Sequence, residues 1–129
     1  MKIVKLLTVR QPWAHAIVFD SKDVENRSQR WRYRGPVLIL AGLKMSSAEL
    51  PAFAKTWTMR FGGVIGAAEI IDCVSEYPSK WFEGPFALVL RDRRAVPFVP
   101  WRGSQGLANA PQELLQRIDD NLLREYLSS

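Results

Sequence analysis

The chain is poor in the residues that build metal and redox sites. Its 129 residues hold one cysteine, Cys73, and one histidine, His15. One cysteine excludes an internal disulfide framework. The pair leaves too few soft ligands for a structural zinc site within one chain, so no metal and no cofactor is expected. Long apolar runs are missing too. No segment approaches 18 uninterrupted apolar residues, which excludes a transmembrane helix. The opening MKIVKLLTVRQPW does not follow the plan of a secretion signal, because Lys5 interrupts a short apolar run. A lone free cysteine then makes the cytoplasm the default compartment. The glycines at 62, 63 and 66 do not precede Lys-Ser/Thr, so no phosphate loop is present, and no Gly-x-Ser-x-Gly elbow occurs. Repeats, low-complexity tracts and linkers are also absent, and residues 1–129 read as one domain.

What the chain has is apolar mass and positive charge. It is 47% hydrophobic, too apolar for disorder, and carries a net charge of +5. Twelve of its 18 basic residues are arginine. Arg27, Arg30, Arg32 and Arg34 fall in eight residues without an acid among them. Residues 111–129 hold two basic and four acidic residues, so that stretch is −2 and the remainder +7. The guanidinium fork suits phosphate and stacks on bases better than a lysine ammonium. An arginine-rich face therefore points to nucleic acid or another phosphorylated partner. A merely basic surface is the plainer alternative.

The hydrophobic pattern predicts an α+β domain. Strands are expected at 3–9, 23–28, 37–41, 64–74, 86–92 and 95–99, the run 37–41 being central and 95–99 an edge between Pro97 and Pro100. A first helix is expected over 12–19, with Trp13, Ala16, Ile17 and Phe19 facing inward. Ser46-Ser47-Ala48-Glu49 has capping-box spacing and predicts a second helix to about Thr58. A short helical turn is expected at 78–82. Pro111 opens the last helix, with Leu115, Ile118, Leu122 and Tyr126 on one face. Five or six short strands and three helices are expected to close as a small mixed barrel.

The most informative stretch is residues 10–35. It gathers Gln11, Trp13, Lys22, Glu25, Asn26, Arg27, Trp31, Arg32, Tyr33 and Arg34 in one strand–helix–strand unit. An aromatic ring stacks on a base, an amide reads its edge and cations hold phosphate, so this mixture fits a base-and-phosphate pocket. Singly, each residue has a plainer reading. Trp13 suits a helix core, and Lys22, Glu25 and Arg27 suit a solvated ion network.

These residues also carry a resemblance. Gln11-Pro12-Trp13-Ala14, then Lys22-x-x-Glu25-x-Arg27-Ser28, then Arg34-Gly35, resembles the signature of the ASCH domain, named after the activating signal cointegrator. Gly66–Cys73, Gly84–Leu90 and Trp101–Leu107 are similar to later stretches of that family. The resemblance spans about residues 6–107 and leaves 107–129 as a helical extension. It implies a PUA-like β-barrel, with a cleft between the first helix, the Lys-x-x-Glu-x-Arg strand and the late loop. It implies RNA or DNA binding and a role in transcription, translation or RNA metabolism. One branch hydrolyses acylated cytidine with a lysine, a threonine and a glutamate, and some members cut RNA. Lys22 matches that lysine. Glu25 stands where the threonine would, so that hydroxyl is missing.

Three functions follow as expectations. The first is a module for RNA or single-stranded DNA. Gln11, Trp13, Lys22, Glu25 and Arg27 form its pocket, and Arg30, Arg32, Arg34, Arg91, Arg93, Arg94, Arg102 and Gly103 its rim. The second is a small hydrolase for a modified nucleoside or RNA, with Lys22 and Glu25 as working residues. A metal version through Glu69 and Asp72 is disfavoured, since three positions apart they face opposite sides of a strand. The third is a protein-interaction adaptor with Trp57, Trp81 and Trp101 as exposed anchors.

Overall fold

The computed structural model describes residues 4–46 and 52–128. One mixed sheet of six strands organises them: β1 (Lys5–Gln11), β2 (Val24–Arg27), β3 (Gly35–Met45), β4 (Gly63–Val74), β5 (Phe86–Pro100) and β6 (Leu107–Asn109). Across the sheet the order is β2-β5-β4-β3-β1-β6. Only β1 and β3 pair in parallel, from Lys5↔Val37 to Val9↔Ala41. The chain between them holds α1 (Trp13–Phe19) and β2, the long crossover that parallel neighbours require.

Both faces of the sheet centre are covered. Leu7 and Val9 of β1 and Val37, Ile39 and Ala41 of β3 share a cluster with Ala14 and Ile17 of α1. Their sequence neighbours Leu6, Leu38 and Leu40 point the other way, toward Leu114 and Ile118 of α2 (Gln112–Ser128). Two covered faces explain why Val37–Ala41 is apolar at every position. Gly66 is required where α1 crosses β4, since a Cβ there would lie 2.4 Å from Val18 Cγ2 and 2.6 Å from the Arg94 carbonyl oxygen.

Several expectations are corrected. The sheet does not close into a barrel: β2 pairs with β5 alone and β6 with β1 alone, so two edges stay open. Only two α-helices occur among the described residues. The expected second helix is a 3-10 segment, Ala52–Thr56, and residues 47–49 of its capping box lie outside the described residues. Residues 78–82 form a non-helical turn. The strands foreseen at 86–92 and 95–99 are one, bent at Asp92 with φ 54°. Pro97 and Pro100 sit in its second half, which pairs with β4 alone. Phe19 is 58% exposed rather than core. The last helix buries Leu114 and Ile118, while Leu122 is exposed and the Tyr126 side chain lies outside the described residues. No helix among the described residues is long and apolar enough to cross a membrane.

Candidate nucleic-acid interface

The site begins where α1 ends. Arg93 donates through Nη1 to the carbonyls of Ile17 at 2.9 Å and Asp20 at 2.8 Å, closing the helix terminus. The chain then turns Lys22 inward until only 3% of it is exposed. Burying an ammonium is costly unless it finds partners. Lys22 Nζ donates to the Val24 carbonyl at 2.7 Å and lies 3.7 Å from Glu25 Oε1. The ring centres of Trp13 and Trp81 are 5.8 and 6.0 Å away, within cation–π range. Those two rings meet nearly edge to face, 6.5 Å apart at 75°. Burial pushes the Lys22 pKa below its ordinary value, and the Glu25, Glu83 and Asp23 carboxylates oppose the shift.

Trp81 is held in that corner from two sides. Its Nε1 donates to Ser21 Oγ at 3.0 Å, and its carbonyl accepts from Asn26 Nδ2 at 3.0 Å. Asn26 Oδ1 accepts from the backbone of Glu83 at 2.8 Å and of Gly84 at 3.1 Å. Asn26 therefore clamps the 81–84 turn, with both acceptor sites of Oδ1 and one N–H of Nδ2 used in doing so. The corner encloses a cavity of about 420 Å³ lined by Trp13, Lys22, Glu25, Asn26, Lys80, Trp81 and Glu83.

A second, larger cavity of about 1120 Å³ lies on the other side of Glu25. Glu25 Oε2 is 3.4 Å from Arg27 Nη2, and Arg27 lines this larger space. Arg27 also donates to the Thr8 carbonyl at 3.4 Å and stacks with Cζ 4.6 Å from the Trp31 ring centre. The floor is a continuation of the sheet face that α2 covers. Leu6 and Leu38 are paired and buried under α2; two residues on, Thr8 pairs with Leu40, and Arg10, Gly42 and Lys44 follow at the same alternation. Loop 101–106 forms the opposite wall with Trp101, Arg102, Gly103 and Ser104. Gly103 lies so close to the floor that a Cβ would stand 2.6 Å from Thr8 Oγ1 and 2.9 Å from Leu40 Cδ2. Thr8 Oγ1 and Arg27 Nε are buried here without a hydrogen-bond partner.

Four cations, Arg10, Arg27, Lys44 and Arg102, and two indoles, Trp31 and Trp101, line the large cavity without a carboxylate among its lining residues. Of the four, only Arg27 is in an ion pair among the described residues.

The single pocket expected from the sequence is thus divided. Trp13, Lys22 and Glu25 line the small cavity; Arg27, Arg102 and Gly103 line the large one. Gln11 lines neither. It is fully buried, donates through Nε2 to the Arg60 carbonyl at 2.7 Å and accepts the His15 N–H at 2.9 Å. It is a structural amide, and both its ends are used. The expected arginine rim is mostly elsewhere. Arg30 donates to the Cys73 carbonyl, and Arg34 binds the Trp31 and Tyr33 carbonyls and pairs with Asp72. Arg32 lines neither cavity. Arg91 pairs with Glu69, Arg93 caps α1, and Arg94 bonds the Asp92 carbonyl. Glu69 and Asp72 are thus occupied separately, and no group of acids, histidine and cysteine able to hold a metal occurs among the described residues. Trp57, Trp81 and Trp101 are not exposed anchors. Each is half-buried: Trp57 stacks on His15, Trp81 meets Trp13, and Trp101 packs on the α2 cluster.

The architecture is shared with solved structures. The ASCH protein of Zymomonas mobilis superposes with a TM-score of 0.60 at 19% identity, covering 91% of this chain and 94% of that one. A tyrosine-to-phenylalanine mutant of it gives 0.61 at 18%, covering 92% and 98%. The fold is that of an ASCH domain. The chain matches no protein-family model and no curated protein. Within this ASCH-like fold, the Gln-Pro-Trp and Lys-x-x-Glu-x-Arg segments lie against one another, and Glu25 stands at the wall between the two cavities.

Proposed function

We propose that the domain binds single-stranded nucleic acid, RNA or DNA, through the large cavity. One observation carries this reading: four cations and two tryptophans around about 1120 Å³, with no acid in the lining. Arg10, Lys44 and Arg102 have no carboxylate partner among the described residues, which leaves their charge for a ligand, and arginine forks fit phosphate oxygens in pairs. The two indoles in the lining offer flat faces to unstacked bases, which a duplex does not present. Arg27 stacked on Trp31 joins the two functions in one place. In this reading the domain serves transcription, translation or RNA metabolism.

The test is a salt titration of binding to a short single-stranded oligonucleotide. Each phosphate neutralised contributes a slope of about −0.7 in log affinity against log salt. A slope between about −2 and −3 is expected for three or four contacts. Affinity that does not change with salt overturns the reading.

A second reading rests on the small cavity. A buried lysine beside a carboxylate, walled by indoles, is an arrangement able to move a proton. Lys22 and Glu25 would then be the working residues of a hydrolase for acylated cytidine or RNA. Turnover of acetylated cytidine or RNA that disappears in Lys22→Ala would favour it.

A further inference from the structure

We propose that Lys22 is an imine-forming lysine, which captures the open-chain aldehyde of a sugar that has lost its base in a single strand. The lysine is nearly inaccessible to bulk water and yet lines a cavity of about 420 Å³. One N–H is spent on the Val24 carbonyl, and Glu25 stands 3.7 Å away on another side. Trp13 and Trp81 wall the ammonium with apolar faces. Desolvation by these walls eases formation of the neutral amine, the state that attacks a carbonyl. Glu25 supplies the proton acceptor.

The class of aldehyde follows from the neighbouring cavity. Arg27 lies within 4 Å of the same carboxylate and faces the acid-free, cationic space. A phosphate-bearing strand held there would bring an adjacent sugar to the Lys22 side. Intact nucleotides offer no free aldehyde, whereas an abasic sugar in its open form does. This proposal rests on the nucleic-acid reading for delivery of the aldehyde, and on the Lys22 corner for its capture.

The step balances. Glu25 takes a proton from the ammonium, and neutral Nζ forms a bond to the carbonyl carbon. The carbonyl oxygen becomes a hydroxyl with the proton released from nitrogen. That hydroxyl leaves as water with the proton from Glu25, and a protonated imine remains. Lysine ammonium and aldehyde give protonated imine and water, with no oxidation or reduction.

The experiment incubates the full chain with a single-stranded oligonucleotide carrying one abasic site, then adds borohydride to reduce any imine to a stable amine. Peptide mapping locates the adduct on the unsubstituted protein, so no variant is needed for the primary result. One adduct per chain is expected at Lys22, formed at least about tenfold faster than at any other lysine. Lys22→Arg loses it, and Glu25→Gln slows it about tenfold while keeping the amine. A strand whose abasic aldehyde has been reduced beforehand gives none. Adducts spread over Lys44, Lys55 and Lys80 with none at Lys22 overturn the proposal. So does a Lys22 adduct with glycolaldehyde but none with the oligonucleotide. Salt-dependent binding of an intact strand in the same buffer then shows whether the nucleic-acid reading survives that failure.

Discussion

Arg27 and Glu25 meet at 3.4 Å across the wall between two cavities, and Glu25 offers its other oxygen to the buried Lys22 at 3.7 Å. One carboxylate thus serves two cations that face different spaces. Removing it should leave Lys22 with a carbonyl, two aromatic rings and only the Glu83 and Asp23 carboxylates, neither within ion-pair distance, as counter-charge. Breaking an ion pair on one side is costlier than replacing both partners. Glu25→Ala is expected to lower stability by about 2–3 kcal/mol, reduced from the fully buried case because Glu25 keeps some solvent contact. Adding Lys22→Met should recover much of that loss. Urea unfolding of the single and double variants checks it, and equal stability of the two would refute the view of Lys22 as a buried cation in need of Glu25.

Charge and stacking in the large cavity should separate experimentally. Arg102→Ala and Lys44→Ala each remove one cation from its lining. Each is expected to weaken oligonucleotide binding and to flatten the salt slope by about 0.7. Trp31→Ala should weaken binding about tenfold, in line with about 1–3 kcal/mol for one stacked base, with little change in slope. Fluorescence anisotropy across a salt series measures both quantities. Arg32→Ala, at a position lining neither cavity, should leave the slope unaltered.

Gln11 illustrates how sequence and structure part company. In the sequence it sits beside Trp13 and invites a base-reading role. In the fold its amide joins the Arg60 carbonyl to the start of α1 through the His15 N–H. A buried amide whose partners remain behind after substitution leaves them unsatisfied. Gln11→Leu should therefore cost about 2 kcal/mol, while purified, folded variant binds nucleic acid within about twofold of the parent. Thermal unfolding and anisotropy together check this. A large binding loss without a stability loss would return Gln11 to the ligand.

What was legible was set by periodicity. The strand cores, α1 and the Lys-x-x-Glu-x-Arg unit all follow from local pattern. The division into two cavities does not, because it depends on which way Arg27 leaves β2 and on the position of the distant 101–106 loop. Arg30, Arg32 and Arg34 looked like a rim because they are close in sequence. They follow β2, where strand alternation no longer predicts side-chain direction. The sequence does carry a signal for the floor. Thr8 and Arg10 are two apart on β1, as are Gly42 and Lys44 on β3, continuing the alternation that buries Leu6 and Leu38. The edge strand β6 rests on non-local pairing of three residues, too short to carry a pattern, and whether the two edge strands meet is likewise set by non-local geometry.

Gly103 should be intolerant of a side chain for a reason specific to this site. Its Cβ would press the side chains of Thr8 and Leu40, which stand on the sheet floor. Either those side chains shift or the loop lifts, carrying Arg102 and Ser104 with it, and both change the cavity. Gly103→Ala is expected to weaken oligonucleotide binding about tenfold, for about 1.4 kcal/mol of lost contact. Thr8→Val gives a control of opposite sign. It removes a buried hydroxyl that has no partner, and is expected to leave stability unchanged or raised by up to about 1 kcal/mol. Calorimetric binding and unfolding of both variants test the pair.

His15 gives the pH dependence its sign. Its ring lies between Phe19 at 4.8 Å and Trp57 at 4.7 Å. Burial lowers its pKa from the ordinary value near 6.5, and Asp20 opposes the shift. The unfolded chain, with the higher pKa, therefore binds the proton more readily than the folded one. Stability from this group is complete above pH 6.5 and is lost as pH falls through the lowered folded value. His15→Phe keeps an aromatic ring in the stack and removes the titration. Below pH 6.5 the variant should lose less stability than the parent as the solution is acidified, while the two run parallel above pH 7. Urea midpoints between pH 5 and 8 measure the difference, and parallel curves throughout would mean that the stacked imidazole titrates alike in the folded and unfolded chain.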